Sequence, residues 1–173
     1  MTKKEILHSA PAYFQRYIKE VVGDDIAEAL LREGRKGVEF YQNIPEAKHH
    51  YRYQDRKWHV KEILSHVIET ERVMSTRALA FSREDGNRYP GFNQDQYVIH
   101  GRSEKRSMDS LIEEFYHLRS ANVLMFAAMD DVMLERAGRW DTNEASVETI
   151  AYIIAGHELH HRKIIADRIL ELL

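Results

Sequence analysis

Four long stretches of this chain repeat apolar residues at helical spacing, and this repetition limits the fold more than any other feature of the sequence. They span about residues 25–43, 58–82, 107–130 and 146–172. Because side chains three and four positions apart share one face of an α-helix, each stretch predicts an amphipathic helix with one buried side. Nowhere does the sequence sustain the alternation of apolar and polar residues that indicates a strand. The four stretches therefore predict an all-α four-helix bundle.

Polar capping residues and one proline mark where these helices begin and end. Asp24 or Asp25 precedes the first stretch, and Ser107 and Ser146 precede the third and the fourth. Each has a side-chain oxygen that can accept hydrogen bonds from the free N–H groups of a first helical turn. Pro45 follows the first stretch and cannot continue a helix. These start and stop signals support the helices that the apolar pattern predicts.

The long segment 83–106 connects the second and third predicted helices. Its length and its glycines predict a crossover connection between helices 2 and 3 of an antiparallel bundle. Residues 1–22 have apolar side chains at near-helical spacing after Pro11, and we expect them to form an N-terminal arm packed on the bundle. Residues 23–173 are expected to form a single bundle domain, because a chain of this length can bury one substantial core.

The composition excludes several classes of protein. Hydrophobic residues make up 43% of the chain and charged residues 31%, as in a soluble globular domain. The net charge of −3 gives no electrostatic basis for binding nucleic acid or an anionic membrane. No apolar run reaches the ~18 residues of a transmembrane helix. The first residues lack the apolar segment of a signal peptide, so we expect a cytoplasmic protein.

The fourth stretch contains the sequence His-Glu-Leu-His-His at positions 157–161. On a helix, the imidazoles of His157 and His161 lie one turn apart on one face, and that face continues the apolar stripe. A buried imidazole must be hydrogen-bonded or bound to a metal. His66 lies on or at the edge of the buried face of the second stretch. Between facing helices of a bundle, His66, His157 and His161 can bind one metal ion and leave a coordination position open, as catalytic sites do.

Other interpretations of these histidines remain open. With 10 histidines in 173 residues, a pair four apart can arise by chance, and two hydrogen-bonded core histidines would give the same pattern. The residues also match the zinc-protease motif His-Glu-x-x-His, but no downstream glutamate ligand and no peptide-binding sheet accompany it. Glu158 turns away from the pair and is expected in a surface or inter-helix salt bridge. His160 is expected to point elsewhere. Because the chain has no cysteine, any metal must take nitrogen or oxygen ligands.

Three polar residues are candidates to support the histidines or to line a pocket beside them. Glu69 is within reach of His66 at the i+3 position, and Thr70 lies one turn beyond His66. Asn122 stands on the apolar stripe of the third stretch. The sequence assigns no residue a catalytic role.

Seven segments of the chain carry motifs of a known family. They are Ala10 to Ile18, Tyr51 to Tyr53, Lys57 to His66, Glu69 to Arg72, Arg77 to Leu79, Pro90 to Asp95 and Gly156 to His161. Together these motifs make the chain resemble the DinB/YfiT-like superfamily of small helical metalloproteins, and in particular its members that are similar to bacillithiol transferases. The resemblance covers nearly the whole chain. One departure is His59, where the family more often has a serine beside the tryptophan, and this position is that of a helix cap.

The resemblance implies a four-helix bundle with a crossover, usually a homodimer. It implies that His66, His157 and His161 bind one divalent metal ion, with zinc or nickel the foremost candidates. Family members of known activity transfer low-molecular-weight thiols such as bacillithiol or mycothiol to electrophiles, or use them as cofactors in isomerisation. Many other members have no established reaction.

On this basis we expect a metal-dependent enzyme that transfers a low-molecular-weight thiol to an electrophilic substrate through a metal-activated thiolate. Its partners would be these two small molecules, with no nucleic acid and no membrane. One alternative is a metal-dependent hydrolase that cleaves a small amide or ester with a metal-bound water. Another is a metal-binding bundle of the stress response without enzymatic activity.

Overall fold

The computed structural model describes residues 2–170, and most of them are helical. The predicted end of the fourth helix at residue 172 lies outside the described residues. Short 3₁₀ turns lie at Glu46–Lys48 and Ser103–Lys105, and a π-helical turn at Ala166–Leu170 follows the last helix. The helices are α1 (Lys3–Ser9), α2 (Ala12–Glu20), α3 (Ile26–Gln42), α4 (Val60–Ser82), α5 (Gln94–Gly101), α6 (Met108–Ala127), α7 (Asp131–Glu135) and α8 (Val147–Ile165); the strands are β1 (Ala137–Trp140) and β2 (Asn143–Ser146).

Helices α3, α4, α6 and α8 form a four-helix bundle, so the predicted all-α fold class is confirmed. Each of these helices packs mainly against two others: α3 and α4 both contact α6 and α8. The consecutive helices α3 and α4 therefore lie diagonally across the bundle. Two apolar clusters, one at each end of the bundle, form its core.

The neighbouring helices α4 and α6 run in the same direction. Lys61, at the start of α4, donates to the backbone carbonyl of Glu104, just before α6 begins. Further along, Glu71 of α4 accepts hydrogen bonds from Arg119 and Asn122 of α6. The segment between these helices must return along the whole bundle, which is the predicted crossover. It is not a plain loop, because it contains α5.

The predicted capping residues do cap the helices. The side chains of Asp25, Ser107 and Ser146 accept hydrogen bonds from backbone N–H groups in the first turns of α3, α6 and α8. His59 caps α4 in the same way: its Nδ1 accepts from the N–H of Glu62, whose carboxylate accepts from the N–H of His59. The histidine that departs from the family pattern thus performs the task of the usual serine.

The N-terminal helices pack against α8. Ile6, Ile18 and Val21 are fully buried and belong to the larger apolar cluster. A Cβ atom on Gly156 of α8 would lie 2.1 Å from the backbone oxygen of Tyr17 in α2. Glycine at this position therefore allows two helix backbones to approach closely beside His157.

A β-hairpin precedes α8, although the sequence pattern indicated no strand. Strands β1 and β2 are antiparallel, with Trp140 opposite Asn143, and Asp141 begins the two-residue turn with a φ of +50°. The crossover is attached to this hairpin, because Tyr89 exchanges backbone hydrogen bonds with the Arg139 carbonyl and the Asp141 N–H. Strands of four residues are too short for a recognisable alternation of apolar and polar side chains.

Candidate metal centre

The three predicted histidines converge at one point between α4 and α8. The Nε2 atom of His157 lies 3.1 Å from Nε2 of His66 and 3.2 Å from Nε2 of His161. One ligand atom from each residue lies within 4.8 Å of the others. Nitrogen ligands bound tetrahedrally at ~2.0–2.1 Å from a zinc ion are about 3.3 Å from each other. The spacing of the three nitrogens therefore fits a single divalent ion.

The antiparallel packing of α4 on α8 brings these residues together. His157 and His161 are one turn apart on α8, and His66 faces them from α4 among buried neighbours. His66 is 2% and His157 7% exposed, whereas His161 is partly exposed. The group is therefore closed on the side of the bundle core and open on the side of His161.

Burial keeps the three imidazoles neutral. It lowers the pKa of His66 to about 4 and the pKa of His161 well below its usual value. The pKa of His157 is also well below its usual value, first because of burial and then because of the neighbouring His161 and His66. Neutral imidazole is the form that binds a metal ion, so the protonation state of these three side chains at pH 7 is compatible with metal binding.

Thr70 and two aromatic rings surround the histidines. The hydroxyl oxygen of Thr70 lies 3.4 Å from Nδ1 of His66, on the side of the ring away from the other two histidines. The Trp58 ring centroid is 4.7 Å from that of His66, and the Tyr17 centroid is 5.3 Å from that of His157. These contacts fix the orientations of the imidazoles.

The other two supporting candidates, Glu69 and Asn122, lie away from the histidines. The Glu69 carboxylate is near the Ser65 hydroxyl and packs against Gly101, on the crossover side of α4. Asn122 donates to Glu71, which also accepts both hydrogen bonds of a bidentate pair with Arg119. Neither residue lines the cavity beside the histidines.

Glu158 also faces away from the histidines, as expected, but it is fully buried rather than at the surface. Its Oε1 accepts a hydrogen bond from the Tyr41 hydroxyl of α3 and lies 3.3 Å from Nε of Arg162. Burial raises the pKa of Glu158 to about 7. Because its carboxylate lies on the α3 side of α8, it cannot serve as a base at the histidines.

A cavity of about 300 Å³ opens beside the three histidines. His160 stays outside the group of three candidate ligands, as expected, but it lines this cavity and packs against the Tyr17 ring. Six parts of the chain supply the wall: α2, the segment just before α4, α4 itself, the crossover, the hairpin and α8. Besides the histidines, the lining residues include Tyr13, Phe14, Arg16, Tyr17, Trp58, Thr70, Met74, Arg77, Phe92, Gln94, Trp140, Asp141, Asn143 and Ile153.

Sequence reasoning missed the charged residues of this wall: Arg16, Arg77 and Asp141. Only Arg77 gave a detectable signal, because it lies on the face of α4 that already holds His66 and Thr70 at helical spacing. Arg16 and Asp141 reach the cavity through the packing of the arm and the hairpin, which no local pattern predicts.

In this bundle, two facing helices present three candidate metal ligands to one cavity. The protein is therefore of the class of helical bundles whose sites lie in the bundle core. The chain belongs to the DinB superfamily, whose sequence profile matches residues 29–165. No curated protein matches it in sequence. Within residues 2–170, no helix combines the length and apolar character needed to cross a bilayer.

Two solved structures share the fold. One is YfiT from Bacillus subtilis, which is described as a probable metal-dependent hydrolase with an unusual four-helix bundle topology. Its sequence is 12% identical to this chain, and the two structures superpose with a TM-score of 0.69 over 98% of this chain and 87% of YfiT. A mycothiol-dependent maleylpyruvate isomerase is 9% identical with a TM-score of 0.62, over 79% of this chain and 59% of the isomerase. At these identities the similarity establishes the fold.

Proposed function

We propose that His66, His157 and His161 bind one divalent metal ion, zinc or nickel, and that the protein is a metal-dependent enzyme. The convergence of three neutral imidazole nitrogens beside an open cavity carries this proposal. Three protein ligands leave a coordination position free, which is typical of catalytic sites, whereas structural sites fill it with a fourth protein ligand.

The proposed reaction is the transfer of a low-molecular-weight thiol, similar to bacillithiol, to an electrophile. A divalent ion held by His66, His157 and His161 would supply Lewis-acid chemistry, which would lower the pKa of a thiol bound beside them. Thr70 holds the ring of His66 in place, while Trp58 and Tyr17 cover the histidines and limit the access of water. The thiol dependence of the structurally similar isomerase supports this choice of substrate.

A hydrolase is the second candidate, and His160 is the observation that favours it. This imidazole lines the cavity next to the metal ligands, and burial lowers its pKa, so it is a neutral base at pH 7. A small amide or ester would then be cleaved by water, with the divalent ion that the three histidines would hold supplying Lewis-acid chemistry. The description of YfiT as a probable hydrolase supports this alternative.

The cellular setting is also part of the proposal. We propose a cytoplasmic homodimer in which residues 1–22 form an arm on a single domain of residues 23–173. Light scattering coupled to size-exclusion chromatography measures the oligomeric state directly. A monomeric mass at micromolar concentration would contradict the dimer.

Metal content and activity together test the proposed function. Tag-free protein is analysed by mass spectrometry, and the same preparation is assayed with bacillithiol and a chlorinated nitroaromatic, and with a set of nitrophenyl esters. We expect about one divalent ion per chain, as three ligands at a single site require, and thiol transfer that is lost in His157→Ala. Ester hydrolysis without thiol transfer would favour the hydrolase. Bound metal with both activities absent would favour a binding protein.

A further inference from the structure

Arg77 is a buried cation on the cavity wall whose partners are all uncharged. As a whole residue, Arg77 is only 4% exposed. One terminal nitrogen donates to the carbonyl of Pro90 at 2.7 Å, and the other contacts the sulfur of Met74 at 3.2 Å. Among residues 2–170, no carboxylate forms an ion pair with it. Several of its five N–H donors therefore remain available to a ligand.

The same helix bundle shows how a buried arginine is normally stabilised. Arg119 is 3% exposed and makes a bidentate pair with Glu71, with both distances at 2.8 Å, which raises its pKa despite burial. The pKa of Arg77 is instead lowered, because burial outweighs the opposing electrostatic effects of Tyr97 and Asp141. A buried charge without a counter-ion is unfavourable, and a bound anion would remove this cost.

The position of Arg77 indicates where such an anion would lie. His66, Thr70, Met74 and Arg77 recur along one face of α4, and all four line the cavity. Arg77 follows His66 by eleven positions, which corresponds to a rise of ~16 Å along the helix axis. The side chains of His66 and Arg77 both lean toward the helix N-terminus, but the arginine reaches further back and contacts Met74, so its guanidinium lies nearer than this rise, on the order of 10 Å from the histidine nitrogens.

We propose that Arg77 binds a carboxylate of the organic substrate, and that the thiol of the proposed function carries a carboxylate about 10 Å from its sulfur. The substrate class is thus an elongated, anionic thiol that spans the cavity from the metal to Arg77. Arg16, stacked on the Tyr13 and Tyr17 rings at the cavity edge, adds a second positive charge. The identity of the thiol rests on the proposed function, whereas the anion site at Arg77 does not.

The first experiment tests the anion site alone, with L-malate as the probe. The guanidinium carbon of Arg77 lies 5.3 Å from the Trp140 ring centre, so binding should change the tryptophan fluorescence. At constant ionic strength we expect a saturable change with a Kd on the order of millimolar, about tenfold or more weaker in Arg77→Met and partly retained in Arg77→Lys. The uncharged diamide of malate should give no saturable change.

Arg88→Gln is the matched control. Arg88 is exposed and donates to the Asp141 carbonyl, so it holds the same region together by a similar contact without lining the cavity. Its malate affinity should equal that of the wild type. Equal malate affinity in the wild type and Arg77→Met, or no saturable change in the wild type, would overturn the anion site.

The second experiment tests the thiol with metal-loaded protein. Calorimetry compares bacillithiol, which carries two malyl carboxylates, with its dimethyl ester. We expect the wild type and Arg88→Gln to bind the free acid about tenfold more tightly than the ester. In Arg77→Met this preference should disappear while the metal content stays unchanged, a result that a merely structural role for Arg77 would not give.

The two experiments separate the two proposals. Malate binding that depends on Arg77, in protein that holds no metal, would support the anion site while contradicting the proposed metal enzyme. An acid-over-ester preference that persists in Arg77→Met would contradict the assignment of the thiol carboxylate to Arg77 and leave the metal site intact.

Discussion

Thr70 is the residue outside the triad that contacts it most directly, through the Nδ1 atom of His66 at 3.4 Å. A hydrogen bond at the far ring nitrogen fixes the tautomer and orientation of a metal-binding imidazole. Helical spacing alone placed Thr70 beside His66. Helical spacing could not show which of Thr70 and Glu69 contacts His66. In the structure Glu69 lies on another side of α4 and contacts Ser65.

Removing the Thr70 hydroxyl should weaken metal binding. In Thr70→Val we expect about tenfold lower metal affinity, at the low end of the usual effect of such partners because the contact is long. Competition with a chromophoric chelator measures this affinity. Thr76→Val is the control, since the exposed Thr76 hydroxyl bonds only the Arg72 carbonyl on the same helix. Equal affinities in both variants would mean that Thr70 has no part in holding His66.

Helix α4 is joined to its parallel neighbour α6 by the buried pair of Glu71 and Arg119. The sequence indicated that Glu71 lies on a helix with several charged residues, but its partner lies 48 positions away. Such a contact depends on which helices are neighbours, and a pattern within one helix holds no information about that.

Replacing Glu71 should destabilise the bundle strongly. Glu71→Ala leaves the Arg119 guanidinium buried and unpaired, so we expect a loss of about 3–5 kcal/mol in the free energy of unfolding, measured with urea. Glu114→Ala removes a carboxylate from a partly exposed pair with Arg72 and Arg106 and should cost at most about 1 kcal/mol. If the two variants lost similar amounts of unfolding free energy, burial of the pair of Glu71 and Arg119 could not be the reason for its importance.

A substitution at Gly156 tests the close contact between helices α2 and α8. Alanine is a better helix former by up to about 1 kcal/mol, but its Cβ would lie 2.1 Å from a backbone oxygen that only a shift of α2 can move. We therefore expect Gly156→Ala to be destabilised and its N-terminal arm to be cleaved faster in limited proteolysis.

Gly86→Ala is the control for this change, because a Cβ atom there would have no neighbour within 4 Å. Its stability should stay within about 0.5 kcal/mol of the wild type. Unchanged proteolysis of the arm in Gly156→Ala would show that α2 tolerates the displacement.

The short elements were the ones that the sequence did not predict. Helix α5 and the hairpin have few residues each, so their apolar patterns are too brief to recognise. Both are stabilised by contacts with distant segments, such as the backbone hydrogen bonds of Tyr89 to Arg139 and Asp141. The four long helices could be predicted because each repeats its apolar face over several turns.

At the scale of the whole molecule, the proposed metal binding should stabilise the fold, since the three candidate ligands meet only when α4 packs on α8. At a free metal concentration about 1,000 times the Kd, binding contributes about 4 kcal/mol. For a chain of this size we expect Tm to fall by about 8–16 °C when the metal is removed with a chelator. Calorimetry measures the shift, and His157→Ala should show none. A chelator-independent Tm in metal-loaded wild type would contradict this linkage.

His66 and His157 are 91 positions apart in the chain. A metal ion held by both would close a loop that contains about half of the protein, and closing a long loop restricts the unfolded chain more than closing a short one. In a chain without cysteine, the ion would act as a reversible cross-link that responds to metal supply instead of to redox state. Loss of the ion would then loosen the seam between α4 and α8, and with it one wall of the cavity.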